Sequence, residues 1–140
     1  MSFRIGQRIF GLLTTDEAVL ALLGGSGFPP VTRLYPNRLP ASTELTWPAA
    51  TYTIITDAAQ GSVDGFTSGL RWARVEIDCY STEYEQAQAA ADAVDDVLGS
   101  LTEEDFKSRK RLRRDLWDAS GGPQGLHRVS TDFSVWVSDT

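Results

Sequence analysis

The chain has 140 residues, 41% hydrophobic and 23% charged, enough for one domain around a single core and too little for several. A formal net charge of −6 argues against indiscriminate nucleic-acid binding over the whole surface, and no run approaches the ~20 apolar residues that a membrane helix needs. The one cysteine, Cys79, excludes an internal disulfide, and the N-terminus lacks a signal-peptide core with a cleavage site, so a protein assembled in the cytosol, with no membrane partner, is expected.

In chain order, Phe3 to Leu13 spaces Ile5, Ile9, Phe10, Leu12 and Leu13 at helical intervals, with Arg4, Gln7 and Arg8 between them. Thr14-Thr15-Asp16-Glu17 matches a capping box, so a second helical turn is expected through Leu23, ended by Gly24-Gly25. The glycines at 24, 25 and 27 lack the lysine and hydroxyl of a phosphate loop and no strand precedes them, which leaves a helix terminator. Val31 to Tyr35 is a short extended run stopped by Pro36. Asn37 to Pro48, with two prolines and no periodicity, is a long connecting loop of the kind used for contact. Ala50 to Thr56 is rich in β-branched and aromatic residues and reads as a strand.

Gly61 to Gly69 then forms a glycine-rich hairpin arm carrying Asp64 and Phe66, either a loose loop or an arm inserted between neighbours. The chain is organised around the next stretch, Leu70 to Gly99. Ala73 to Cys79 alternates apolar and charged residues, as a strand with one buried face does. Thr82 to Glu85 fits a capping box, and Ala87, Ala90, Ala91, Val94, Val97 and Leu98 fall on one helical face, with Gly99 as a left-handed terminator. Beyond an acidic turn at Glu103-Glu104-Asp105, the cations Lys107, Arg109, Lys110, Arg111, Arg113 and Arg114 crowd into eight residues. Arg111, Arg113, Asp115 and Trp117 alternate with Leu112, Arg114 and Leu116, which suits a strand with a charged face, a helix being the alternative. The last strand sends Val129, Thr131, Phe133, Val135 and Val137 one way and Arg128, Ser130, Asp132, Ser134 and Trp136 the other.

These elements sum to a single α+β domain spanning residues 1–140. It has an about four-stranded, mainly antiparallel sheet, with an N-terminal helix and an alanine-rich helix at about 82–98 packed on one face.

Catalysis has little support. The lone histidine, His127, sits on a strand whose neighbours Ser130 and Asp132 have no reason to converge on it, and one histidine plus one cysteine cannot build a zinc site. No metal and no cofactor are expected. The basic run could contact a phosphate backbone, but no DNA-reading helix or RNA-binding aromatic motif accompanies it. Segregated charge of both signs fits pairing with a neighbouring subunit. Trp72, Trp117 and Trp136 add large amphipathic rings of the type favoured at interfaces.

Arg33-Leu34-Tyr35-Pro36, the proline loop into Tyr52, Ala73-Arg74-Val75 leading to Cys79-Tyr80-Ser81, the alanine-rich helix, Asp115-Leu116-Trp117 and the closing Leu126 to Trp136 come in an order and spacing that resembles the tail completion (tail-to-head joining, or tail terminator) proteins of long-tailed phages. The likeness spans nearly the whole chain. It implies a non-enzymatic virion protein of the neck, assembled in the host cytoplasm as a ring, commonly a hexamer. Such a ring ends tail-tube polymerisation and joins the tail to the head connector. The implied partners are further copies of the chain, the tail tube protein and a connector or stopper, with DNA passing through the lumen unread. Candidate interface residues are Arg109, Arg111, Arg113, Arg114, Asp64, Phe66, Trp117 and Trp136. The alternatives are another neck ring, such as a head-side stopper or adaptor, and a small nucleic-acid-binding protein using residues 107–114.

Overall fold

The structure is a computed structural model that describes residues 2–24, 33–39, 47–61, 67–103, 105–118 and 125–138. Helices α1 (Ser2–Thr14) and α2 (Glu17–Leu23) precede strands β1 (Leu34–Pro36), β2 (Ala49–Gly61) and β3 (Thr67–Ser81). Helix α3 (Tyr84–Leu98) follows, then β4 (Ser100–Thr102), β5 (Phe106–Asp118) and β6 (Leu126–Ser138). The strands form one sheet in the order β1-β2-β3-β6-β5-β4. Six strands replace the expected four. The two additions, β1 and β4, are three residues each, too short to show a period, and β1 runs through Pro36 instead of stopping before it. Proline is tolerated there because β1 is an edge strand, bound only to β2 and parallel to it. The other four pairings are antiparallel.

One face of the sheet is covered by helices. Ala73, Val75, Ile77 and Cys79 of β3 and Val129, Phe133, Val135 and Val137 of β6 are buried beneath Ile5, Ile9 and Leu13 of α1 and the small face of α3. Ala87, Ala90, Ala91 and Ala93 are all buried, and their short side chains let α3 lie close on β3 and β6. Phe106 and Phe133 fill the space between α3 and the sheet as its largest fully buried side chains.

Three local expectations are corrected. At α2 the cap is Asp16, whose Oδ1 accepts from the Val19 N–H at 3.1 Å; the threonine hydroxyls bond back to α1 carbonyls, Thr14 to Phe10 and Thr15 to Gly11. At α3 neither Thr82 nor Glu85 forms a capping box. The N-cap residue is Glu83, and Ser81 Oγ accepts from the Glu83 N–H while donating to Gln86 Oε1, so the last residue of β3 begins the helix. Gly99 is right-handed, at φ −65°. A side chain there would meet the Asp95 carbonyl oxygen at 2.5 Å, so close approach is what calls for glycine. Asp64 and Phe66 lie outside the described residues, as do 40–46 of the proline loop.

Candidate assembly interface

Strand β5 owes its conformation to alternation at both ends and a bulge in the middle. Phe106 and Ser108 point to the helix-covered side and are buried, Ser108 Oγ donating to the Leu98 carbonyl at 2.6 Å. The register against β6 slips between Lys110 and Leu112, leaving Arg111 as the extra residue. After the slip Arg113, Asp115 and Trp117 lie under α3, and Leu112, Arg114 and Leu116 are on the opposite, helix-free face.

The acidic flank of α3 runs alongside the cations on the covered side. Lys110 Nζ meets Asp95 Oδ2 at 2.8 Å, and Arg113 meets Asp92 Oδ1 at 2.7 Å while donating to Gln88 Oε1. Asp115 accepts from Gln88 Nε2 at 2.8 Å and from the Tyr84 hydroxyl at 3.1 Å; that bond holds the Tyr84 phenol above its ordinary pKa. Asp92 and Asp95 thus lock β5 to α3. Arg109 and Arg111 are exposed and have no hydrogen-bond or ion-pair partner among the described residues.

The helix-free face is polar yet tightly paired. Cross-strand rows join Arg109, Ser134 and Arg74, then Leu112, Asp132 and Glu76, then Arg114, Ser130 and Asp78, then Leu116, Arg128 and Tyr80. Arg74 meets Asp132 at 2.5 Å, Arg128 meets Asp78 at 2.9 Å, and Ser130 Oγ donates to Glu76 Oε1 at 2.7 Å. The Arg128 guanidinium also lies 5.9 Å from the Tyr80 ring centroid. Burial pushes the Asp78 carboxyl up, against the pull of Ser130 and Arg128. Trp72 and Trp136 are directly opposite each other at one end of this face, half-buried, with Lys107 next in the row.

A groove of about 230 Å³ opens at the far end of β5, between the start of α3 and the first residues of β6. Tyr84, Leu116, Trp117, His127 and Val129 line it; the rings of Tyr84 and His127 meet edge to face at 5.5 Å. Trp117 packs against Gly125, where φ is +73° and a side chain would stand 2.3 Å from the indole nitrogen, so both conformation and space require glycine. The outer face of the indole remains open, and Trp117 is 60% exposed.

Of the residues singled out in the sequence, β5 brings Arg109, Arg111, Arg113, Arg114 and Trp117 together, with Trp136 on the neighbouring strand facing the other way from Trp117. Tyr84 and His127 escaped notice as groove residues because nothing local links positions so far apart in the chain. So did Arg8, which reaches Glu103 at 2.6 Å and Asp105 at 3.0 Å, and Arg33, which donates to the carbonyls of Leu22, Gly24 and Pro48. Among the described residues no cluster of three or more histidine, cysteine or acidic side chains could hold a metal, and no helix is long and apolar enough to cross a membrane.

Comparison with known proteins identifies the fold and the family. A chain from the virion of a native gene transfer agent particle has the same fold, with a TM-score of 0.61 over 93% of this chain and 91% of that one, at 15% identity. No match was found among individually curated proteins. The family model described as tail completion protein gp17 matches residues 7–138, from α1 to the end of β6. The protein is a structural, non-enzymatic component of a phage-type tail: it belongs to the tail completion protein gp17 family.

Proposed function

We propose that the protein forms a closed ring, a hexamer in the simplest form, at the head-proximal end of a phage-type tail, where it ends tube polymerisation and joins the tail to the head connector. Residues 1–140 act as one unit in this reading. The observation that carries it, beside family membership, is the charge left over once the chain has satisfied itself. Arg109 and Arg111 have no partner among the described residues, while Glu83, Glu85 and Asp96 stand exposed on α3. A basic strand and an acidic helix on one chain form a heterologous, head-to-tail contact, the kind that closes rings. The arm with Asp64 and Phe66 supplies further contacts to the neighbour or to the adjoining tube. DNA passes through the lumen without being read.

Native mass by light scattering at ~10 and ~500 mM salt, which bracket weak and strong screening, tests the ring. A hexamer-sized particle loosened by salt supports it. In a particle-assembly assay, failed termination with overlong tails marks a terminator. Normal tails with leakage of packaged DNA mark a head-side stopper and refute the terminator role. The exposed arginines also give the nucleic-acid reading a foothold; steep salt-dependent binding to duplex DNA by a monomer is its signature.

A further inference from the structure

We propose that the outer edge of β5 is a receptor for an acidic, extended segment of a partner protein, which adds to the sheet as a further strand. This deepens the reading of the basic strand as an assembly surface and rests on it. Strand β4 pairs with β5 only at Lys107 to Arg109, and the Lys110 N–H takes the Gly99 carbonyl. From Arg111 to Asp118 the edge has no neighbouring strand among the described residues. An open edge of this length offers main-chain hydrogen bonds, and pockets beside it select the side chains of an added strand.

Both selecting features are present. On the covered side the Tyr84, Trp117 and His127 groove takes an apolar side chain. Arg109 and Arg111, with Arg114 nearby on the helix-free side, take carboxylates. An incoming strand that alternates acidic and apolar residues meets Arg114 between Leu112 and Leu116 on the helix-free face, with Arg111 at the bulge and Arg109 beside β4 at its end, and the groove on the other face, because strand side chains alternate in the same way.

The chain's own strands are poor occupants. Two β5 edges brought together would set cation against cation. The opposite edge is β1, three residues long with Pro36 and flanked by Arg33 and Arg38, and beyond it β2 from Thr53 to Gly61, which has no outer strand among the described residues but contains one acidic residue, Asp57, too little charge for the cations of β5. The carboxylates of Glu103 and Asp105, next to β4, are already taken by Arg8. Charge and edge chemistry together therefore call for an acidic strand from a different protein.

The test uses the full chain, isotope-labelled, and the capped peptide Glu-Val-Glu-Phe-Glu-Val-Glu as probe. Amide exchange across 111–118 should slow by about tenfold or more on binding, and affinity should fall by about tenfold when alternate peptide nitrogens are methylated, when glutamates become lysines, or in Arg109→Glu/Arg111→Glu. Equal binding by the methylated peptide would mean charge alone and would overturn the proposal even if the salt-sensitive ring forms. Equal binding by the lysine peptide would also overturn it. So would protection of 111–118 in the peptide-free protein that appears as mass grows, because a second copy would then occupy the edge.

Discussion

Replacing Arg113 by glutamate separates the arginines that hold the subunit together from those turned outward. Arg113 is 23% exposed and Asp92 66% exposed, so their pair at 2.7 Å belongs with partly screened surface pairs worth about 0.5–1 kcal/mol. Reversal removes that attraction, loses the bond to Gln88 and sets the introduced carboxylate against Asp92, a like-charge term of similar size, for a total of about 1–2 kcal/mol. With an unfolding entropy of about 2.1 cal/mol/K per residue, roughly 0.3 kcal/mol/K for this chain, the melting temperature should drop by about 3–7 °C. Arg111→Glu, with no partner to lose, should move it by less than about 2 °C. Thermal unfolding at low salt reads both. The Arg113→Glu deficit should shrink in high salt and be largely recovered by adding Asp92→Arg, which restores the pair with its polarity exchanged. Equal shifts for the two single variants, or no recovery in the double, would refute the division of the basic strand into inward and outward cations.

The Cys79 thiol, fully enclosed, is pushed up to about 12, so at pH 8 only about one part in ten thousand is thiolate; thiol reagents should label it in urea-unfolded protein and leave the folded protein untouched. Ala90→Leu forces extra volume between α3 and the sheet and should cost about 1–3 kcal/mol by urea unfolding, whereas Glu85→Leu on the exposed side should cost little. The hydrogen bond from Arg8 holds the Asp105 carboxyl below its ordinary pKa. Its stabilisation is full above about pH 5 and is lost as pH falls through the lowered value. The stability difference between wild type and Asp105→Asn, followed by denaturant melts, should therefore be constant near neutrality and vanish towards about pH 2.

What was legible in the sequence was whatever repeats at short range. The alternations of β3 and β6 and the alanine face of α3 gave the core nearly residue by residue, because burial on one side of a regular element leaves a period. Strands β1 and β4 leave none. They exist because β2 and β5 offer edges, which is a tertiary fact. The capping boxes failed for a related reason: Asp16 takes the Val19 N–H and Ser81 the Glu83 N–H, so each helix starts at a different residue from the one the box implies. The basic run was visible as charge but not as geometry. Only the bulge at Arg111 decides that Arg113 turns under α3 towards Asp92 while Arg114 turns away. The groove joins Tyr84 on a helix to His127 on a strand, and no local pattern connects them.

The guanidinium of Arg33 has a mechanical consequence. By donating to the carbonyls of Leu22 and Gly24 on one side and of Pro48 on the other, it ties the end of α2 to the start of β2. A planar fork that holds three carbonyls at once cannot be matched by a single ammonium, so lysine in its place would leave part of this join unmade. One side chain thus keeps the helical layer from sliding along the first long strand of the sheet.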